Sequence, residues 1–496
     1  MPSTELRGLT GLRIVAAAWV VLFHFHFTPL EAVAEVAAVL GPLITAGALG
    51  VDLFFVLSGF VITYTYLDSL GPALRVRATV RFVWARACRI WPVYALVFHL
   101  FGIWLMARLW YGSDSEVAFQ AVQPDLGPTE YLQQLFMVQL WDNPFFDGAS
   151  WVGATWSISA EWLAYLLFPV GVLVLFRLRN LPATVLAMAA VALMAPMVWA
   201  YLSTGTPYHP WSWAARILCG FSGGAVMYLA VRRKRRTEGL RRGASTAAVV
   251  LPVLIAAGLL LGELLGPGRG GAVIALFPLL VGALAVADRG PAMVLSMPWA
   301  VYGGRVSYSL YLVHIPMFEI YWLALQKFSS LGPGTMLAHV TGVVVLLSTF
   351  AVAALAFHAV EEPARRSLRA MARPGDAAPA RASRSPRHRA VGGTATGWPG
   401  VGNQSATRLT SEAATARSRI VAARRNAAAG RSGETRAGGG PSGSAEVSAV
   451  PRRRPAPEAG GPPLAAALIN AQRRQPPRPG DYERSLYVQG YLNARG

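Results

Sequence analysis

The first three-quarters of the chain alternates long apolar runs with short polar connections. A membrane-spanning helix needs roughly 20 mostly apolar residues in a row. Ten runs meet or approach that length: residues 11–30, 43–67, 90–110, 151–176, 182–202, 212–231, 245–265, 271–287, 299–325 and 336–360. The pattern predicts an all-α integral membrane protein with about ten transmembrane helices. With the N-terminus on the cytosolic side, alternate connections carry Arg75, Arg77, Arg81, Arg86 and Arg89, then Arg177 and Arg179, then seven basic residues within 232–242, then Arg289, then Arg365, Arg366, Arg369 and Arg373. That is 19 basic residues, against only Arg269 and Lys327 in the opposite connections. Cytosolic loops carry the excess of Lys and Arg, so both termini are expected in the cytosol. The first run is followed by Pro29 and Glu31 with no small-residue cleavage site, and is expected to stay in the mature protein as a helix.

Composition excludes other classes. With 54% hydrophobic residues, 14% charged residues and a mean hydropathy of +0.41, a soluble enzyme is nearly ruled out. The net charge of +20 suggests a nucleic-acid partner until it is located: residues 373–496 hold 20 Arg against 7 acidic residues, or +13 of the +20. The lipid bilayer is therefore the expected partner, and no nucleic acid is. That last segment is rich in Ala, Gly, Pro, Ser and Arg and poor in aromatics, so it cannot bury enough surface to fold. The expected organisation is a membrane domain over 5–370 and a basic, low-complexity, disordered cytosolic tail over 373–496. Cys88 and Cys219 are too few for a disulfide framework and read as packing residues; no metal site is expected. The longest outer connection, 111–150, has no Lys or Arg but carries Asp114, Glu116, Asp125, Glu130, Asp142 and Asp147. It fits either a cover over a substrate entrance or a solvated loop kept acidic by the charge bias.

Ionisable side chains inside apolar spans are costly, and each is a candidate for function. Arg13 and His24 are eleven residues apart in the first run, about three turns and 16 Å along one helix face. Arg13 at the cytosolic end suits a phosphate; His24 is deep enough to act away from bulk water. A plainer role for the two is a snorkelling anchor and an interhelical hydrogen bond. Asp52 lies about nine residues, roughly 14 Å, into the second run, a depth approaching that of His24, where a carboxylate would orient an imidazole base, or would instead compensate an Arg from another helix. Ser157, Glu161 and Tyr165 share one face at four-residue spacing, and Ser307, Tyr311 and His314 form another polar stripe. Arg86 and Arg89 share a helical face at the membrane surface, able to clamp a pyrophosphate or to hold anionic lipid headgroups.

These residues together resemble the acyltransferase 3 family of multi-pass membrane O-acyltransferases. Arg13 and His24 match its Arg-x10-His signature, and residues 50–60 its Gly-Val-Asp-x-Phe-Phe-x-x-Ser-Gly-Phe run. Residues 86–92 match Arg-x-x-Arg-x-x-Pro, residues 156–161 match Trp-Ser-x-x-x-Glu, and residues 307–314 match Ser-Tyr-x-x-Tyr-Leu-x-His, with Glu361-Glu362-Pro363 a looser match. The resemblance implies transfer of an acyl group, often acetyl, from cytosolic acyl-CoA to a hydroxyl of an exported acceptor such as a glycan, glycolipid or secondary metabolite. It implies no permanently bound cofactor. Under it, His24 deprotonates the acceptor hydroxyl or takes the acyl group itself, and Asp52 orients or charge-balances it. Arg13, Arg86 and Arg89 bind the CoA phosphates; Glu161, Ser157, Tyr311 and His314 belong to the substrate site or to a structural network. Some relatives carry a fused esterase-like domain. Residues 373–496 contain no further span and no Gly-Asp-Ser motif, so a stand-alone transferase is expected. The rival function is a proton-coupled multi-pass transporter of an exported glycan or metabolite, for which Asp52, Glu161, His24 and His314 would form a relay. A scaffold for polysaccharide export is a third reading, which leaves the register of Arg13 and His24 unexplained.

Overall fold

The computed structural model describes residues 5–112, 117–120, 122–232, 237–332 and 334–371. The expected tail, the loop carboxylates Asp114 and Glu116, and Arg373 lie outside the described residues. Among the described residues there is no β-strand. The helices that frame the bundle are α1 (Arg7–Phe25), α2 (Leu49–Leu70), α3 (Val76–Tyr111), α4 (Trp156–Leu178), α5 (Ala183–Ala192), α6 (Ala195–Thr204), α7 (Ser212–Arg232), α8 (Glu238–Gly262), α9 (Phe277–Val286), α10 (Pro298–Lys327), α11 (Met336–Ala356) and α12 (Glu362–Met371), with a further ten-residue helix at Glu31–Leu40 and shorter turns between them.

Nine helical stretches among the described residues are long and apolar enough to cross a membrane, α5 and α6 counting as one and α9 joining the turn before it. The tenth expected span is α10. At 30 residues it is long enough, but Arg305, Ser307, Ser309, His314 and Glu319 reduce its hydropathy. Most of that polar side is buried against other helices: Ser307, Ser309 and His314 are fully covered. Outward faces elsewhere are apolar, with Leu100, Ile103, Val170, Val174, Val253, Leu261, Val344 and Leu347 exposed. Contiguous apolar surface of this kind is what a bilayer covers. The chain is a multi-pass membrane protein.

The third helix differs from expectation at its start. It runs 36 residues from Val76, so the basic stretch expected as a connection forms its first turns. Arg is a good helix former, and nothing at 76–91 interrupts the helix. Basic segments distant in sequence gather at one end of the bundle. Arg232 reaches Asp68 at 3.1 Å, Arg289 reaches Glu238 at 2.8 Å, and Arg305 reaches Glu5 at 2.7 Å. The hydrogen bond from Arg305 holds the Glu5 carboxyl below its usual range.

Two crossings bring backbones into contact, as small residues permit in membrane bundles. A Cβ added at Gly59 of α2 would lie 1.9 Å from the Phe221 carbonyl oxygen, and one at Gly224 of α7 would lie 1.9 Å from that of Val56. On the other side of α1, a Cβ at Gly304 of α10 would lie 1.7 Å from the Thr10 carbonyl oxygen. These crossings fasten α2 to α7 and α10 to α1.

At the end opposite the basic one, residues 117–120 and 122–152 form a packed cover. Tyr94 donates to the Gln134 carbonyl at 2.7 Å, and the Trp151 amide donates to the Gln134 side chain at 2.9 Å. Gln120 donates to the Ser150 carbonyl at 2.8 Å. Buried Gln120, Gln134 and Gln139 thus supply internal partners where a solvated loop would use water. The described part of this connection is therefore packed on the bundle through internal hydrogen bonds.

The crossings set a stability test. Gly224→Val forces a branched side chain onto a neighbouring backbone and should cost about 3 kcal/mol or more, the upper range for overpacking. Gly171→Ala in α4 meets nothing within 4 Å and should be neutral or stabilising by about 0.5–1 kcal/mol. Thermal unfolding in detergent checks both; equal stability of Gly224→Val and wild type would refute the crossing.

Candidate active site

Two adjoining chambers lie inside the bundle. The first, about 820 Å³ with its mouth included, is lined by Arg13 of α1, Ser58 of α2, Arg86 and Arg89 of α3, Glu161 of α4 and Tyr311 of α10. The second, about 640 Å³, is lined by His24, Phe119, Phe146, Trp156, Arg216 and again Tyr311. Val51 and Tyr311 line both, so they form the partition. The Tyr311 hydroxyl is held to Ser157 Oγ at 2.7 Å and donates to the Ala154 carbonyl at 2.8 Å.

In the first chamber the three cations are not equivalent. Arg89 is ion-paired with Glu361, which the π-helical turn Phe357–Glu361 carries into the bundle and which also accepts from Ser309 Oγ at 2.7 Å. Arg86 donates through Nη2 to the Tyr66 hydroxyl at 3.0 Å and packs on the Tyr66 ring. The Nε atoms of Arg13 and Arg86 are buried without a hydrogen-bond partner. Of the three, Arg13 and Arg86 therefore keep donors open to an anion. Glu161 accepts from Ser58 Oγ at 2.6 Å and from the Tyr165 hydroxyl at 2.5 Å, which fixes its carboxylate beside the cations.

In the second chamber His24 Nδ1 lies 2.9 Å from the Val20 carbonyl oxygen and 3.1 Å from His314 Nε2. A carbonyl only accepts, so the proton belongs on Nδ1, and Nε2 is left as the basic nitrogen. The Phe119 ring stands edge-on to the imidazole at 4.7 Å between centroids.

Of the two readings of Asp52, an orienting partner for His24 or a counter-ion for an Arg of another helix, the structure shows the second. Asp52 is not the partner of His24. Its two carboxylate oxygens accept from Arg216 Nε at 2.9 Å and Arg216 Nη2 at 2.7 Å, and both residues are 1% exposed. The reason is the glycine-mediated contact of α2 with α7, which turns Asp52 toward α7 and leaves α10 to supply the neighbour of His24. That neighbour is His314. The structure does bring together Arg13, Arg86, Arg89 and Glu161, and it brings Ser157 to Tyr311 and His24 to His314.

Two residues were missed from sequence. Arg216 pairs across 164 positions, and Glu319 accepts the amides of Ala118 and Phe119, both at 2.9 Å, some 200 positions away. No local spacing marks such pairs. The available signal was their position, since each is a charged residue within an apolar run.

A family model described as an acyltransferase domain matches residues 6–358. The chain belongs to this acyltransferase 3 family. It is 28% identical over 331 residues to "Acyltransferase MdmB" of Streptomyces mycarofaciens, covering 62% of this chain and 78% of the relative. No solved structure matches. The protein is thus a transferase enzyme, and the two chambers belong to a membrane acyltransferase.

In this acyltransferase the cover is tied to the His24 chamber through Glu319, whose carboxylate is buried and holds Phe119 over the imidazole. Glu319→Gln leaves one accepting oxygen for two amides. The loss should be about 2 kcal/mol, in the range for hydrogen bonds to charged groups, with faster amide exchange at Ala118 and Phe119. Unchanged exchange there would refute the anchoring role.

Proposed function

We propose that this acyltransferase moves an acyl group, acetyl in the simplest case, from cytosolic acyl-CoA to a hydroxyl of an exported acceptor of the carbohydrate, glycolipid or secondary-metabolite class. The single observation that supports it most is the division of α1: Arg13 lines one chamber and His24 the adjoining one, about 16 Å apart by helical rise. A thioester donor has the same polarity, with phosphates at one end and the reacting carbonyl at the end of a long neutral arm.

In this reading Arg13 and Arg86 take the phosphates through their open guanidinium donors, with the forked geometry that suits phosphate oxygens. Arg89, already paired with Glu361, shapes the site more than it binds anion. The arm passes Val51 and Tyr311 into the His24 chamber. There Nε2 of His24 removes the acceptor proton as the acceptor oxygen attacks the thioester carbonyl carbon, and His314 keeps the ring oriented. The aromatic walls from Phe119, Phe146 and Trp156 exclude water, which would otherwise compete as acceptor. The basic end faces the cytosol under the positive-inside bias, and the cover faces outward.

Purified protein with acetyl-CoA and an acceptor glycan should release CoA thiol. His24→Ala should lose about 10²- to 10⁴-fold in turnover, as for loss of a general base, with insertion and thermal stability retained. Arg13→Ala should raise the KM for acyl-CoA, and Arg13→Lys should rescue only part of it. Full turnover by a well-folded His24→Ala variant would refute the assignment. For orientation, a cysteine at the exposed Thr129 should react with an impermeant reagent added outside intact cells, and one at Thr237 should be protected. Outside labelling at Thr237 would overturn the topology.

A further inference from the structure

Arg216 has a donor to spare. Its Nε and Nη2 are committed to Asp52, with a further bond from Nη2 to the Ala48 carbonyl at 3.3 Å, but Nη1 is buried with no hydrogen-bond partner. The guanidinium carbon lies 4.9 Å from the centre of the Trp156 ring and 5.8 Å from that of Tyr208, and both rings line the chamber that holds His24. A pair serving only to join α2 to α7 would need just the two donors that meet Asp52. A third donor without a well-formed hydrogen bond is costly in a low-dielectric interior, and Arg216 lines the same chamber as the proposed base, with the Tyr208 side chain beside its guanidinium. Asp147 also lines that chamber, and it accepts the Val122 amide at 3.1 Å.

We propose that Arg216 Nη1 is the oxyanion donor of the reaction, clamped in place by Asp52. This rests on the reading of acyl transfer at His24. The acceptor hydroxyl oxygen forms a bond to the thioester carbonyl carbon while its proton goes to His24 Nε2. The carbonyl π pair moves onto oxygen, and that oxyanion is held by Nη1. When the carbonyl re-forms, the carbon–sulfur bond breaks, the electron pair leaves on sulfur, and the thiolate takes the proton from His24. The products are the ester and free CoA thiol. Asp52 neutralises and fixes the guanidinium, and the fixed donor meets negative charge as it develops on the carbonyl oxygen.

The test uses full-length protein in detergent with acetyl-CoA, a panel of hydroxylated acceptors (oligosaccharides, glycolipids and macrolide-type alcohols), and a trifluoromethyl-ketone analogue of acetyl-CoA whose hydrate mimics the tetrahedral intermediate. The double variant Asp52→Leu with Arg216→Met removes the charges together, which buried pairs commonly tolerate. It should keep the wild-type affinity for acetyl-CoA, lose about 10²- to 10³-fold in kcat, as for removal of one oxyanion donor, and lose affinity for the ketone analogue by a similar factor. Arg216→Lys, which keeps a cation opposite Asp52, should show the same pattern with a loss of at least tenfold, and serves if the double variant does not fold. A kcat within threefold of wild type in a folded variant would overturn the proposal. So would a raised acceptor KM with kcat and analogue affinity intact, which would make Arg216 an acceptor-binding group. Wild-type protein that releases no thiol would instead refute the acyl-transfer reading itself, before Arg216 is tested.

Discussion

At Gly59 and Gly224 the backbones of α2 and α7 leave no room for a single methyl group, and the position of the charged groups follows from that contact. Lipid tails are as apolar as the helix surfaces, so burial alone does not press membrane helices together; close packing and hydrogen bonds must do it. Asp52 lies seven residues before Gly59, and Arg216 eight residues before Gly224. Each is about two turns from its crossing point, and the helices run in the same direction. The carboxylate and the guanidinium therefore arrive at one level, in bidentate register. Because Asp52 is used there, the imidazole of His24 takes its neighbour from α10, whose own close approach to α1 is set at Gly304.

The buried polar side chains around the two chambers fall into two kinds. Glu161, Ser157, Tyr311, Glu361 and Glu319 are met by hydroxyls, amides or a guanidinium from other segments. Such groups, fully matched, hold helices in one arrangement, and a mismatch in low dielectric would be expensive. Arg13, Arg86 and Arg216 each keep one nitrogen without a partner, and all three line a chamber. Open donors facing enclosed space are what a phosphate oxygen or a developing oxyanion requires. Tyr311 and Val51 keep the two sets apart, so an acyl group passing from one to the other must pass between them.

The helices were legible in the sequence because the bilayer imposes the same demand on every span: about twenty apolar residues with internally satisfied backbone. Nine stretches needed nothing more than hydropathy and length. The grouping of Arg13 with Arg86 and Arg89 was also legible, through the order of short motifs along the chain and the family to which they belong; that Glu161 joins them was not. Helical spacing put Ser157 with Glu161 and Tyr311 with His314, since residues three and four apart share a face.

What spacing along one helix cannot specify is which face meets which neighbour. Asp52 has the depth to reach His24, and nothing in its own segment says that it turns to Arg216; the glycine contact with a helix more than 150 positions away decides that. The same holds for Glu319, whose partners sit in a connection whose sequence fits a cover or a solvated loop equally until Gln120, Gln134 and Gln139 are seen buried within it. Local sequence determined the spans, the basic connections and the chemistry carried by each, because those depend on composition and on the 3.6-residue period. The choice of partner for each buried charge was left to the tertiary structure, because it depends on rotation and approach between helices, and these are set by contacts far apart in the chain.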